Sequence, residues 1–88
     1  MICRYGVISG RVQGVGFRYF VRQCANEAGV GGWANNLPDG CVEVLLCGET
    51  TAVEQVQSQV IQGPRQARVM AAIWEERPYT ETCGFSIG

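Results

Sequence analysis

Apolar and polar residues along the chain fall into short extended runs, and twice the pattern shifts to a helical period. Residues 3–9 read as a strand. Apolar positions then fall at Phe17, Phe20, Val21, Cys24, Ala25 and Ala28, one face of an amphipathic helix that Gly29 closes as a left-handed C-terminal glycine. Gly31-Gly32 begin a second extended segment through Trp33 to Leu37, and Pro38-Asp39-Gly40 is a turn. Cys41 to Cys47 reads as a third strand, antiparallel to the second, with Val42, Val44 and Leu46 on its core face. Thr51 and Glu54 fit a capping box that opens a second helix with Val53, Val56, Val60 and Ile61 on one face, ended by Gly63-Pro64. Residues 67–75 read as strand four, residues 78–82 as a loop, and Phe85-Ser86-Ile87 as a short final strand.

The order βαββαβ predicts a ferredoxin-like α+β sandwich, with two helices on one face of a four- to five-stranded antiparallel sheet. No repeat or linker interrupts residues 1–88, so one domain is expected. A net charge of −1 with both signs interspersed excludes an electrostatic footprint for duplex nucleic acid or an anionic membrane. No apolar run approaches ~18 residues, and Met1 to Tyr5 carries no signal-peptide features, so a cytoplasmic protein without a membrane segment is expected.

The chain has five cysteines and no histidine, and no Cys-x-x-Cys pair, so neither a metal nor a cofactor is expected. Absence of histidine also removes the commonest general base and any Ser-His or Cys-His nucleophile. Candidate chemistry lies instead in Gly10 to Arg18, a glycine-containing turn from strand one to helix one with no acidic residue. Successive N–H groups in such a turn form an anion-binding nest, and the helix N-terminus adds to it. Arg18, in the first helical turn, opposes the helix dipole unless an anion partners it. The plain alternative is a tight turn with a solvated arginine. Tyr19 occupies the third glycine position of a dinucleotide fingerprint, and no Gly-Lys-Ser/Thr follows, so neither nucleotide loop is met.

Ile8-Ser9-Gly10-Arg11-Val12-Gln13-Gly14-Val15-Gly16-Phe17-Arg18 resembles the phosphate-loop signature of the acylphosphatase family. A second family signature is met by Gly32-Trp33-Ala34-Asn35-Asn36 with Gly40, Val42 and Gly48, and the resemblance runs on through Gly63-Pro64, Ala67 and Val69. It implies hydrolysis of carboxyl-phosphate mixed anhydrides to a carboxylate and inorganic phosphate. It further implies that Arg18 and the backbone of Gln13, Gly14, Val15, Gly16, Phe17 and Arg18 hold the phosphoryl oxygens, and that Asn36 orients the attacking water. Asn35, on the opposite face by strand alternation, is expected at the surface. The expected partners are a small-molecule acyl phosphate and inorganic phosphate as a competing ligand. A monomer without nucleic acid is expected.

In a sheet of order 4-1-3-2, the loop after strand one and the end of strand two lie toward the same end. Strands one and three are neighbours, so Cys3 can oppose Cys47, and the geometry permits a disulfide although cytosolic redox opposes one. Closing that loop stabilises by ~4 kcal/mol in the chain-entropy model. Cys24 is expected in the core, and Cys41 and Cys83 as free thiols. Phe17, Phe20, Trp33 and Phe85 are expected as core or groove-lining residues. Three other readings stand beside the enzyme: a single-stranded RNA module, a non-catalytic anion sensor, and the first domain of a carbamoyl-transferring maturation protein. The first would need aromatics on the central strands, where only Tyr5 is offered.

Overall fold

In the computed structural model, which describes residues 1–88, two helices pack on one face of a five-stranded sheet. The strands are β1 (Ile2–Arg11), β2 (Gly31–Asn36), β3 (Val42–Gly48), β4 (Arg68–Arg77) and β5 (Phe85–Ile87), and the helices are α1 (Phe17–Ala28) and α2 (Thr50–Gln62). Sheet order is β4-β1-β3-β2-β5, with β1–β3, β1–β4 and β2–β3 antiparallel. The expected order 4-1-3-2 is thus extended by β5, which pairs parallel to β2, so the sheet is mixed rather than antiparallel throughout. The reason is connectivity: β4 ends at one edge, and the chain from Pro78 to Gly84 crosses to the other before β5 begins.

The core forms where the two periodicities meet. Ile8, Ala34, Val42, Val44 and Leu46 from the sheet interlock with Phe17, Val21, Cys24 and Ala25 of α1 and Val53, Val56 and Val60 of α2. Each large apolar side chain so buried contributes roughly 1.5–3 kcal/mol. Gly29 closes α1 in the left-handed region (φ 70°), and Val30 donates to Ala25 O at 2.8 Å.

Two local expectations fail. The second helix starts at Thr50 with Glu49 as its N-cap and no side-chain cap, so Thr51 and Glu54 lie inside it and form no capping box. Ile61 is half exposed (50%), because Val60 beside it takes the last inward position. Arg4, by contrast, gains a role. It donates to Gln57 Oε1 at 2.7 Å and pairs with Glu54 at 3.3 Å and Glu76 at 3.8 Å, joining β1 to α2 and β4.

Cys3 precedes Arg4, whose side chain reaches α2, so Cys3 points to the face away from the helices. There it meets Cys47 in ladder register, and the two are joined as a disulfide. Cys24 is buried, and Cys41 and Cys83 are free. No helix is long and apolar enough to cross a membrane.

Candidate active site

The segment Val12 to Gly16 leaves β1 and turns into α1. Gly14 and Gly16 both sit in the left-handed region (φ 73° and 75°), conformations that favour glycine and that curl successive peptide N–H groups toward one side. The first helical hydrogen bond is Phe20 N–H to Gly16 O at 3.0 Å, and every main-chain N–H from Gln13 through Tyr19 lacks an acceptor within the chain. No acidic residue occupies the first turn of α1 to satisfy them. Such a concave row of free donors at a helix N-terminus is built for an anion.

Both ends of this loop are tied to the strand segment that carries Asn36. At one end, Gln13 Nε2 donates to Leu37 O at 2.8 Å and to Cys41 O at 2.9 Å. Leu37 N–H in turn donates to Cys41 O at 2.8 Å, so the side-chain amide closes the mouth of the β2–β3 turn. At the other end, the Arg18 guanidinium donates to the main-chain oxygen of Gly88, and Gly88 N–H is bonded to Ala34 O at 3.0 Å. Asn36 lies between these two anchors.

Strand alternation sorts the adjacent asparagines. Ala34 is fully buried against the helices, so Asn36, two residues on, projects from the same face, at the exposed end of β2. Asn35 projects from the other face and donates to Glu43 Oε2 at 3.3 Å.

The turn between β2 and β3 has its own lock. Cys41 N–H donates to Asp39 Oδ1 at 3.0 Å, a bond that holds the Asp39 carboxyl below its ordinary range. Burial, then Asp39, pushes the Cys41 thiol up, which disfavours its thiolate.

The single pronounced cavity, about 230 Å³, lies elsewhere, lined by Tyr5, Val7, Ile73, Trp74 and Glu75. It is mostly apolar and shares no residue with the loop. The loop is the better candidate, because its donors are unsatisfied and the cavity offers few polar groups. No group of three or more His, Cys, Asp or Glu side chains is placed to hold a metal.

Residues 4–87 match the family model for acylphosphatase. An acylphosphatase of Roseiflexus sp. (strain RS-1) is 51% identical over 81 residues, 91% of this chain and 87% of that one. One from Pseudomonas paraeruginosa (strain DSM 24068 / PA7) is 44% identical over 86 residues, 98% and 94% of the two chains. The crystal structure of acylphosphatase from Bacillus subtilis superposes with a TM-score of 0.96 at 36% identity, covering 100% of this chain and 99% of that one.

This chain belongs to the acylphosphatase family.

Against the expectations drawn from the family motifs, Gln13 to Gly16 form the turn and Phe17 and Arg18 the first residues of α1, and Arg18 and Asn36 are brought toward the same end of the sheet by the two anchors. Two contributors escaped sequence reasoning. Gln13 was expected to offer its backbone, yet its side chain makes the longer-range contacts. A long amide next to two glycines was the available signal. Gly88 was not legible at all, since main-chain oxygens leave no trace in a sequence.

Proposed function

We propose that this acylphosphatase-family chain hydrolyses carboxyl-phosphate mixed anhydrides through the Gln13–Arg18 loop, Arg18 and Asn36. The phosphoryl oxygens sit in the row of N–H groups, and Arg18 places its planar fork on two of them. Asn36 accepts a hydrogen bond from water and aims it at phosphorus opposite the leaving carboxylate. Phosphoryl transfer of this kind is catalysed by positioning and charge stabilisation, so it proceeds without a histidine. A carboxylate with a reference pKa of ~4 departs without a general acid, and the water's proton passes to a phosphoryl oxygen of the substrate.

The observation that carries the reading is the row of unbonded N–H groups from Gln13 through Tyr19, a row that includes Arg18, whose guanidinium is held by Gly88 O. Inorganic phosphate should therefore compete with substrate. The complete set of groups comes from one chain, which supports a monomeric enzyme. Release of phosphate from benzoyl phosphate, assayed with a chelator present, tests the proposal. Anion binding without turnover would select the sensor instead.

An RNA-binding role is not favoured. Tyr5 and Trp33 on the open face contact each other edge-to-face at 6.1 Å, and Glu43 and Glu75 share that face. Carboxylates there repel a phosphate backbone.

A further inference from the structure

Cys3 and Cys47 face each other across the β1–β3 ladder, 4.1 Å apart at Cα, with their sulfurs joined. Both are nearly inaccessible, at 1% and 3% exposure. The strap from Pro78 to Gly84 passes over Cys3, where Thr80 N–H donates to Cys3 Sγ at 3.4 Å. Between Pro78 and Cys83, the only hydrogen bond from the strap to the rest of the chain is this one to Cys3.

The same strap delivers the catalytic edge of the sheet. Thr82 packs against Gly31, Gly32 N–H donates to Gly84 O at 3.0 Å, and β5 then pairs with Gly32 to Ala34. Beyond β5, Gly88 is held by Ala34 and receives Arg18. A strand of three residues has little stability of its own, so its position depends on how the strap is fastened.

We propose that the Cys3–Cys47 pair is a redox latch on the strap, whose state sets how firmly β5 holds Arg18 beside the anion loop. The inference rests on the reading of Arg18 and the loop as the phosphoryl site. The reductant is a dithiol. Its thiolate attacks one sulfur to form a mixed disulfide, and its second thiolate then displaces the cysteine. Two electrons and two protons pass to the protein, which leaves with two thiols while the dithiol leaves as its own disulfide. Two thiols settle at ordinary contact distance instead of bonding distance, which disturbs the site under Thr80 and loosens the strap. Attack also requires Thr80 to lift, so strap motion gates the reaction.

Coupling between the latch and the anion site must be reciprocal. The test uses the intact chain, with inorganic phosphate as the probe and the redox state counted by alkylation under denaturing conditions. The oxidised form should show the three free thiols and the reduced form all five cysteines. Reduction should weaken phosphate binding about tenfold, and saturating phosphate should shift the pair's dithiol equilibrium by the same factor, ~30 mV for a two-electron couple. Amide exchange at Phe85 to Gly88 should speed up on reduction, and Cys3→Ser/Cys47→Ser should behave as the reduced protein. An unchanged phosphate affinity after full reduction, or unchanged exchange at Phe85 to Gly88, overturns the latch. Faster exchange with no phosphate binding in either state would remove the phosphoryl reading and leave the latch on β5 standing.

Discussion

Gln13 holds Leu37: its Nε2 donates to the Leu37 main-chain oxygen at 2.8 Å, across 24 residues of sequence, and to Cys41 O at 2.9 Å. The contact fixes the loop that would bind the phosphoryl group against the turn that follows Asn36. Gln13→Ala should therefore cost about 1–3 kcal/mol of stability, the net worth of two hydrogen bonds. Its effect on turnover should be larger, about tenfold or more in kcat/KM, because misplaced groups lose the benefit of alignment. Steady-state kinetics alongside thermal unfolding separate the two. Equal, small effects on both would remove the positioning role.

The two neighbouring asparagines should behave oppositely. Asn36→Ala should lower kcat by ~10²–10³, the usual loss for one preorganised contact, with the fold intact because its side chain is exposed. Asn35→Ala removes a 3.3 Å bond to Glu43 and packing against Gly88, leaves the Gly88 main-chain bonds in place, and should keep kcat within about twofold of normal. Parallel assays of the two variants check this, and a reversed ranking would refute the facial assignment.

Gly16→Ala places a side chain at φ 75°, where an L-residue pays roughly 1–2 kcal/mol. Nothing stands within 4 Å of the added methyl, so collision adds no cost. A Tm drop of about 4–8 °C per kcal/mol is expected for a domain this size. Weaker phosphate binding should accompany it as the N–H row opens. Calorimetric unfolding and phosphate titration read both effects.

Tyr5 donates to Glu43 Oε1 at 2.8 Å, and that bond, followed by burial, raises its pKa above 10.0. The native state thus favours the protonated phenol. Its stabilising effect is fully present below pH 10 and lost as pH rises through the native pKa. The ultraviolet difference titration between the native protein and Tyr5→Phe should have its midpoint above 10. Tyr5→Phe should also flatten the alkaline loss of stability.

Much of the architecture was legible because each core face has a single period: Val42, Val44 and Leu46 alternate, while Val53, Val56 and Val60 follow helical spacing. The misreadings have local physical causes. Thr51 has the composition of a cap, but the helix has Glu49 as its N-cap, two residues earlier, so the hydroxyl makes no capping bond. The parallel pairing of β5 follows from the strap's crossing, a long-range event that local patterns do not encode. In the site, glycines and charged residues carried recognisable spacing, whereas the Gln13 clamp and the Gly88 oxygen depend on contacts between distant segments. The contacts of Arg4 likewise depend on α2 and β4 lying beside it, which local patterns do not encode.

The central claim is that a guanidinium and a row of peptide N–H groups bind the phosphoryl group while it is transferred to water. The most direct measurement compares benzoyl phosphate hydrolysis by the native protein and Arg18→Ala, with inorganic phosphate as inhibitor and chelator throughout. The account predicts chelator-insensitive turnover by the native protein, competitive inhibition by phosphate, and a loss of ~10² or more in kcat/KM with weakened inhibition in a folded Arg18→Ala. Near-normal turnover and undiminished phosphate inhibition in that variant would contradict it.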